Sequence, residues 1–183
     1  MTTPRLAIFA VAFATITLAA CGGGEEPSTT SAEPTTEQVA PTPEPTPEPE
    51  VAVTFDGPTF ELTMTPVGNE MKFEQTEFTV QPGQTVHITF NNTADNPAMS
   101  HNVVVLRSTD VINAVGQAAM GAAATDYIPA ARRDDIIANT SMSAPGETVE
   151  VTFTAPSTAG DYPFICTFPG HYMTMQGTMH VAG

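Results

Sequence analysis

The chain has 183 residues, of which 20 are Asp or Glu and 5 are Lys or Arg, for a formal charge of −15. That sign excludes nucleic acid as a partner, because a phosphate backbone demands a basic surface. It equally excludes attachment to an anionic bilayer through basic residues, and it suits solubility and steering toward a basic partner.

Residues 1–20 hold one charge, Arg5, followed by the apolar run LAIFAVAFATITLAA. Such a run has the length of a signal-peptide core and falls short of the roughly 20 apolar residues of a transmembrane helix. It ends in Leu18-Ala19-Ala20-Cys21-Gly22, which resembles a bacterial lipobox: small residues before a cysteine and a polar tail directly after it. Cleavage before Cys21 and lipidation of its thiol are expected, which would set the protein on the extracytoplasmic face of a bacterial membrane. The rival reading is an ordinary signal peptide that ends near a cysteine.

Residues 21–50 are a low-complexity stretch with seven Glu and no basic residue. It has almost no large apolar side chain, so burial cannot offset the entropy of ordering it. Its Pro-Thr-Pro-Glu-Pro repeats favour extended polyproline geometry, and the segment reads as a spacer between lipid and domain.

Residues 51–183 form one domain with thirteen acidic and four basic residues, a formal charge of −9. The pattern is mostly of period two. Val86, Ile88 and Phe90 share one face of a strand over 84–90, with Thr85, His87 and Thr89 opposite. Val149, Val151 and Phe153 alternate likewise, as do Gly177, Met179 and Val181 near the end. Residues 101–106 are a more continuous apolar run, as a central strand requires. Turn signals at Pro82-Gly83, Asn91-Asn92, Pro145-Gly146 and Ala159-Gly160-Asp161 separate these runs, and short strands at such spacing predict an all-β sandwich. Residues 111–124 are alanine-rich and predict a short inserted helix, with Ser108, Thr109 and Asp110 as capping residues; Gly116 and Gly121 oppose that reading.

Cysteine usage sharpens the reading. The chain has two, Cys21 and Cys166, and a lipidated Cys21 leaves Cys166 unpaired. Cys166 opens the string Cys166-Thr-Phe-Pro-Gly-His171-Tyr-Met-Thr-Met175, between a strand over 162–166 and the last strand. A thiolate, an imidazole and a thioether thus share one short loop, a soft and borderline donor mix that suits copper in both Cu(I) and Cu(II). Pro169-Gly170 supplies the turn that returns His171 toward Cys166. His101 stands between a loop and an apolar strand, so it can reach the same end as a fourth donor. His87 and His180 fall on polar strand faces and are read as ordinary surface histidines. The remaining methionines lack the spacing of a copper-capture tract, and neither paired catalytic carboxylates nor a phosphate loop occurs.

These residues resemble the azurin and auracyanin branch of the small blue copper proteins, the cupredoxins. The family's closing loop is Cys-Thr-Phe-Pro-Gly-His, three residues, then Met, and residues 166–175 match it throughout. Its first histidine sits in a His-Asn-hydrophobic string, as at His101-Asn102-Val103. The resemblance implies a Greek-key sandwich with an inserted helix, and one copper ion in a Cys166, His101, His171 plane with Met175 as weak axial ligand. It also implies that Asn102 and Thr167 tie the two ligand segments together, and that Phe168, Pro169 and Met99 rim the edge of His171. Three departures stand out. Ser100 replaces the usual azurin glycine, whose carbonyl approaches the metal; the azurin N-terminal disulfide is missing; and Tyr172 is bulkier than usual and is expected to alter the docking surface.

Two imidazoles, a thiolate and a thioether leave no open position for substrate, so the expected function is one-electron transport rather than catalysis. The expected partners are membrane-bound redox donor and acceptor proteins, with the chain itself a monomer and His171 the exit for the electron. The alternative is a copper-delivery lipoprotein, which the thiolate ligand and the missing methionine-rich tract disfavour. A copper oxidoreductase would need a second site, which His87 and His180 do not supply.

Overall fold

The computed structural model describes residues 55–183, so the expectations for the signal segment, Cys21 and the spacer lie outside the described residues. Among the described residues eight strands make two sheets, joined by loops that carry one short helix. Strands β1 (Phe60–Met64), β3 (Thr85–Asn91) and β6 (Thr148–Thr154) form a three-stranded sheet in the order β1-β3-β6. Strands β2 (Glu77–Val80), β4 (Val104–Leu106), β5 (Ile136–Asn139), β7 (Gly160–Ile165) and β8 (Gln176–Val181) form the other, in the order β2-β8-β7-β4-β5. β1 runs parallel to β3 and β2 parallel to β8; the other pairs are antiparallel. The chain changes sheet between β1 and β2, β2 and β3, β3 and β4, β5 and β6, and β6 and β7. This is the β-sandwich with one short helix that the alternation predicted.

Side-chain period explains the layering. Val86, Ile88 and Phe90 of β3 meet Phe164 of β7 and Met179 and Val181 of β8 in one buried core. β4 is apolar at every position because both of its faces are covered. Val103 and Val105 point into the sandwich core, while Val104 and Leu106 point the other way, toward Val115 of α1 (Ile112–Ala119). At Gly177, opposite Phe164, an added Cβ would lie 2.1 Å from the Phe164 ring and 2.6 Å from the Thr76 carbonyl oxygen. Only glycine lets β8 pass that close to the ring.

The inserted helix is shorter than the expected 111–124. A 3₁₀ turn at Thr109–Val111 leads into it, with Ser108 Oγ accepting from the Asp110 N–H, and a second 3₁₀ turn at Ala123–Thr125 follows. Gly116 lies within the helix for a tertiary reason: a Cβ there would lie 2.2 Å from the ring of Tyr172.

Register also gives the domain two poles. β3 runs toward Asn92, whose side-chain amide donates to the Met99 and Ser143 carbonyls at 2.9 Å each, beside His101. β7 runs toward Cys166 in the same sense. Phe60 pairs with Val86 at the start of β3, and Val181 pairs with Gly160 at the start of β7. The first and last strands therefore enter and leave at the pole opposite His101 and Cys166.

Candidate metal centre

His101 is presented just before β4 and is pinned there by two main-chain bonds with Ser143, His101 N to Ser143 O at 3.0 Å and Ser143 N to His101 O at 2.8 Å. Cys166 follows the last residue of β7, and its N–H donates to the Met175 carbonyl at 3.0 Å. The loop between them turns at Gly170, whose φ of 83° is left-handed and favours glycine. A 3₁₀ turn at His171–Met173 follows, with His171 N bonded to Phe168 O at 2.9 Å and Met175 N to His171 O at 2.8 Å.

These devices bring His101, Cys166 and His171 into one buried cluster. Nδ1 of His101 and Nδ1 of His171 are 3.2 Å apart, and Cys166 Sγ lies 3.8 Å and 3.7 Å from them. Bonds of roughly 2.0 Å to nitrogen and about 2.3 Å to sulfur, typical of a first-row divalent ion, give a trigonal site with edges of about 3.5 Å and about 3.7 Å. The observed triangle has nearly those sides, and its soft-plus-imidazole donor set suits copper. The residues fit the ion. Met175 is fully buried in the same core as Cys166 and is held beside it through the backbone.

Electrostatics suit a site that exchanges protons for metal. Burial, and then the neighbouring His171, lower the pKa of His101 to about 4. Burial lowers that of His171 as well. Burial raises the Cys166 thiol to about 12, although backbone N–H groups of Asn102 and Phe168 oppose this by donating to its sulfur. At neutral pH both imidazoles are therefore free to donate, and a metal must displace one proton, at Cys166.

Asn102 and Thr167 join the two ligand segments as expected. Thr167 N donates to Asn102 Oδ1 at 2.8 Å, Asn102 Nδ2 donates to Thr167 Oγ1 at 2.8 Å, and both residues are wholly buried. His101 is 0% exposed and His171 5%, so His171 is the ring nearer the surface. Phe168 packs on it with ring centroids 4.8 Å apart. Among the described residues only Asp126 and Tyr127 are non-glycine with positive φ, so Ser100 fits the glycine position with an ordinary backbone. His87 and His180 lie away from the cluster, paired with Glu61 at 2.6 Å and Asp161 at 2.7 Å.

One expectation is corrected. Tyr172 is not part of an exposed rim: most of its side chain is buried with Val104, Leu106, Val115, Ile136 and Ile165. Successive residues of a 3₁₀ turn point about 120° apart, so the neighbour of His171 faces away from it, toward the helix. Sequence reading missed Asn92 and Ser143, which hold the His101 segment. A polar Asn ending an apolar strand was the available signal for Asn92, although the pair Asn91-Asn92 reads first as a turn.

Residues 60–182 match the copper binding proteins of the plastocyanin/azurin family. Auracyanin-A of Chloroflexus aurantiacus is 41% identical over 116 residues, which cover 62% of this chain and 69% of that protein. A solved structure of reduced auracyanin from Roseiflexus castenholzii covers 69% of this chain and 100% of its own at 40% identity, with a TM-score of 0.63. Outer membrane protein H.8 of Neisseria gonorrhoeae is 38% identical over 95 residues, 49% of this chain and 50% of that protein. A match over nearly every described residue, shared with solved structures of the same fold, makes this chain a member of the plastocyanin/azurin family of copper binding proteins.

Proposed function

We propose that the chain is a membrane-tethered one-electron carrier, with one type 1 copper ion held by His101, Cys166 and His171 and more weakly by Met175. The size of the His–Cys–His triangle carries this reading. A bound copper ion would supply a one-electron couple. The chain's own part is to hold three donors at fixed separation before the metal arrives. Main-chain bonds at Ser143 and Phe168 and the Asn102–Thr167 pair do this, so the donors need move little when the charge of the site changes. Four protein donors leave no place for substrate, which favours a carrier over an enzyme. The nearer approach of His171 to the surface makes its ring edge the natural contact for redox donor and acceptor proteins. The test is an absorption and EPR spectrum of the copper-loaded full chain. An intense visible thiolate-to-copper band with narrow hyperfine splitting is expected; a nearly colourless, ordinary tetragonal Cu(II) spectrum would overturn the assignment.

Met175→Leu separates the fourth donor from the other three. Loss of a thioether that donates weakly to Cu(II) favours Cu(I), so the variant is expected to keep copper and colour and to gain reduction potential. Unchanged potential would move the weak donor elsewhere, and loss of copper would make Met175 a strong ligand.

The membrane part of the proposal rests on the lipobox-like Leu18–Cys21 and on the Pro/Glu/Thr spacer of residues 21–50, with residues 1–20 as signal and 51–183 as copper domain. A relative named as an outer membrane protein supports the same siting. At about 3.1 Å per residue in polyproline geometry, the spacer reaches on the order of 90 Å, enough to swing the domain between membrane-bound partners and keep its effective concentration high. Mass spectrometry of the mature N-terminus is expected to find a diacylglycerol-modified Cys21. An unmodified Cys21 would remove the tether and leave the copper site standing.

A further inference from the structure

Asp126 and Tyr127 are consecutive non-glycine residues in the left-handed region, with φ of 51° and 59°. Such a conformation is disfavoured for a residue with a Cβ, less for aspartate than for tyrosine, and persists where surrounding contacts over-determine it. Here they do. Tyr127 N donates to Ala122 O at 2.9 Å and Ile128 N to Thr125 O at 2.9 Å, while Thr125 Oγ1 donates to Ile128 O at 2.8 Å. The strained pair contributes no metal donor, yet it contacts Asn102 beside His101 and Phe168 in the loop from Cys166 to His171. The Asp126 carbonyl accepts from Asn102 Nδ2 at 3.4 Å, the same amide that donates to Thr167 beside Cys166. The Tyr127 ring meets Phe168 edge-on at 5.3 Å, and Phe168 packs on His171 at 4.8 Å.

We propose that Tyr127 is a positioning residue for the metal centre: its left-handed backbone aims its ring at Phe168, which then fixes the plane of the His171 imidazole. This deepens the copper-carrier reading and rests on it. Two routes of strain relief are forgone to keep the arrangement, a glycine at either position, and the ring contact is what glycine could not supply. Phe168 is only half-buried, so without Tyr127 it has freedom to swing outward and release one face of His171.

The test compares Tyr127→Gly with Tyr127→Phe in the full chain. Glycine removes the ring and also the backbone strain, so the two effects on overall stability oppose each other. Phenylalanine keeps the ring and loses only the hydroxyl. In the metal-free protein, Tyr127→Gly is expected to speed hydrogen exchange of the His171 amide by up to about tenfold, the worth of one aromatic contact. In the copper-loaded protein it is expected to shift the charge-transfer band and the reduction potential. Tyr127→Phe is expected to restore all three. A Tyr127→Gly protein with wild-type exchange, band and potential would overturn the proposal, as would a Tyr127→Phe protein that resembles Tyr127→Gly. Should Tyr127→Gly unfold, Tyr127→Asn, which tolerates the left-handed region, carries the same comparison. A wild-type protein lacking the blue band would instead overturn the copper-carrier reading, while the metal-free exchange result would still stand by itself.

Discussion

Cys166→Ser is expected to abolish the visible band and most copper affinity while leaving the fold in place. The sulfur sits 3.7–3.8 Å from both imidazole nitrogens, and it is the soft member of the triangle. A serine hydroxyl is a hard donor that stays protonated, and its shorter bonds do not span the same edges. The loss of affinity is expected to exceed the roughly 10–100-fold typical of losing only a hydrogen bond that supports a ligand. The metal-free domain should tolerate the change. The side chains are close in size, and the Asn102 and Phe168 N–H groups that donate to the sulfur can donate to the hydroxyl oxygen. Circular dichroism of the metal-free variant separates a lost site from a lost fold. A serine variant that kept the band would overturn Cys166 as the thiolate that gives the colour.

Gly116→Ala carries the second large effect, and here two principles oppose each other. Helix propensity favours alanine by about 1 kcal/mol. Sterics oppose it, because the new Cβ would lie 2.2 Å, 2.3 Å and 2.6 Å from three carbons of the Tyr172 ring, which is buried with little room to move. Either α1 lifts away or Tyr172 leaves Val104, Leu106 and Ile165. Overpacking of this kind costs typically 1–3 kcal/mol, so the clash is expected to win and the urea midpoint to fall. Tyr172 adjoins His171, so the copper spectrum should move too. Adding Tyr172→Leu to Gly116→Ala is expected to recover part of the loss, a coupling that a double-mutant cycle measures. A Gly116→Ala protein more stable than wild type would show that the helix yields freely.

The sandwich was legible wherever one face of a strand is wet. β3 alternates so cleanly that its buried face, Val86, Ile88 and Phe90, was plain, and these residues pair with Phe153, Val151 and Val149 of β6. β4 was legible for the opposite reason, an unbroken Val-Val-Leu run covered on both faces. β5 was not, because the residue types of Ile136–Asn139, Ile-Ile-Ala-Asn, do not alternate even though their burial does. The helix was read too long because alanine content marks helix propensity but not where tertiary contacts stop it. The clustering of His101, Cys166 and His171 was legible because their chemistry is local to two short strings. Tyr127, Asn92 and Ser143 were not, since each acts through partners remote in sequence. Tyr172 was misread because adjacency in sequence says nothing about direction within a tight turn.

The separation of poles has a practical consequence. Both Phe60 and Val181 lie at the end of the sandwich away from His101 and Cys166. A peptide appended to either one emerges behind the domain. Two copies joined end to end, or a fusion to an unrelated enzyme, would therefore keep both His171 edges open. The same holds for a thiol or histidine tag used to bind the domain to gold or graphite. Such a tag presents the redox-active end outward, and slow interfacial exchange is then expected, since the electron must cross the full length of β3 and β7 to reach the surface. A handle engineered beside Phe168 instead would turn the short path toward the electrode.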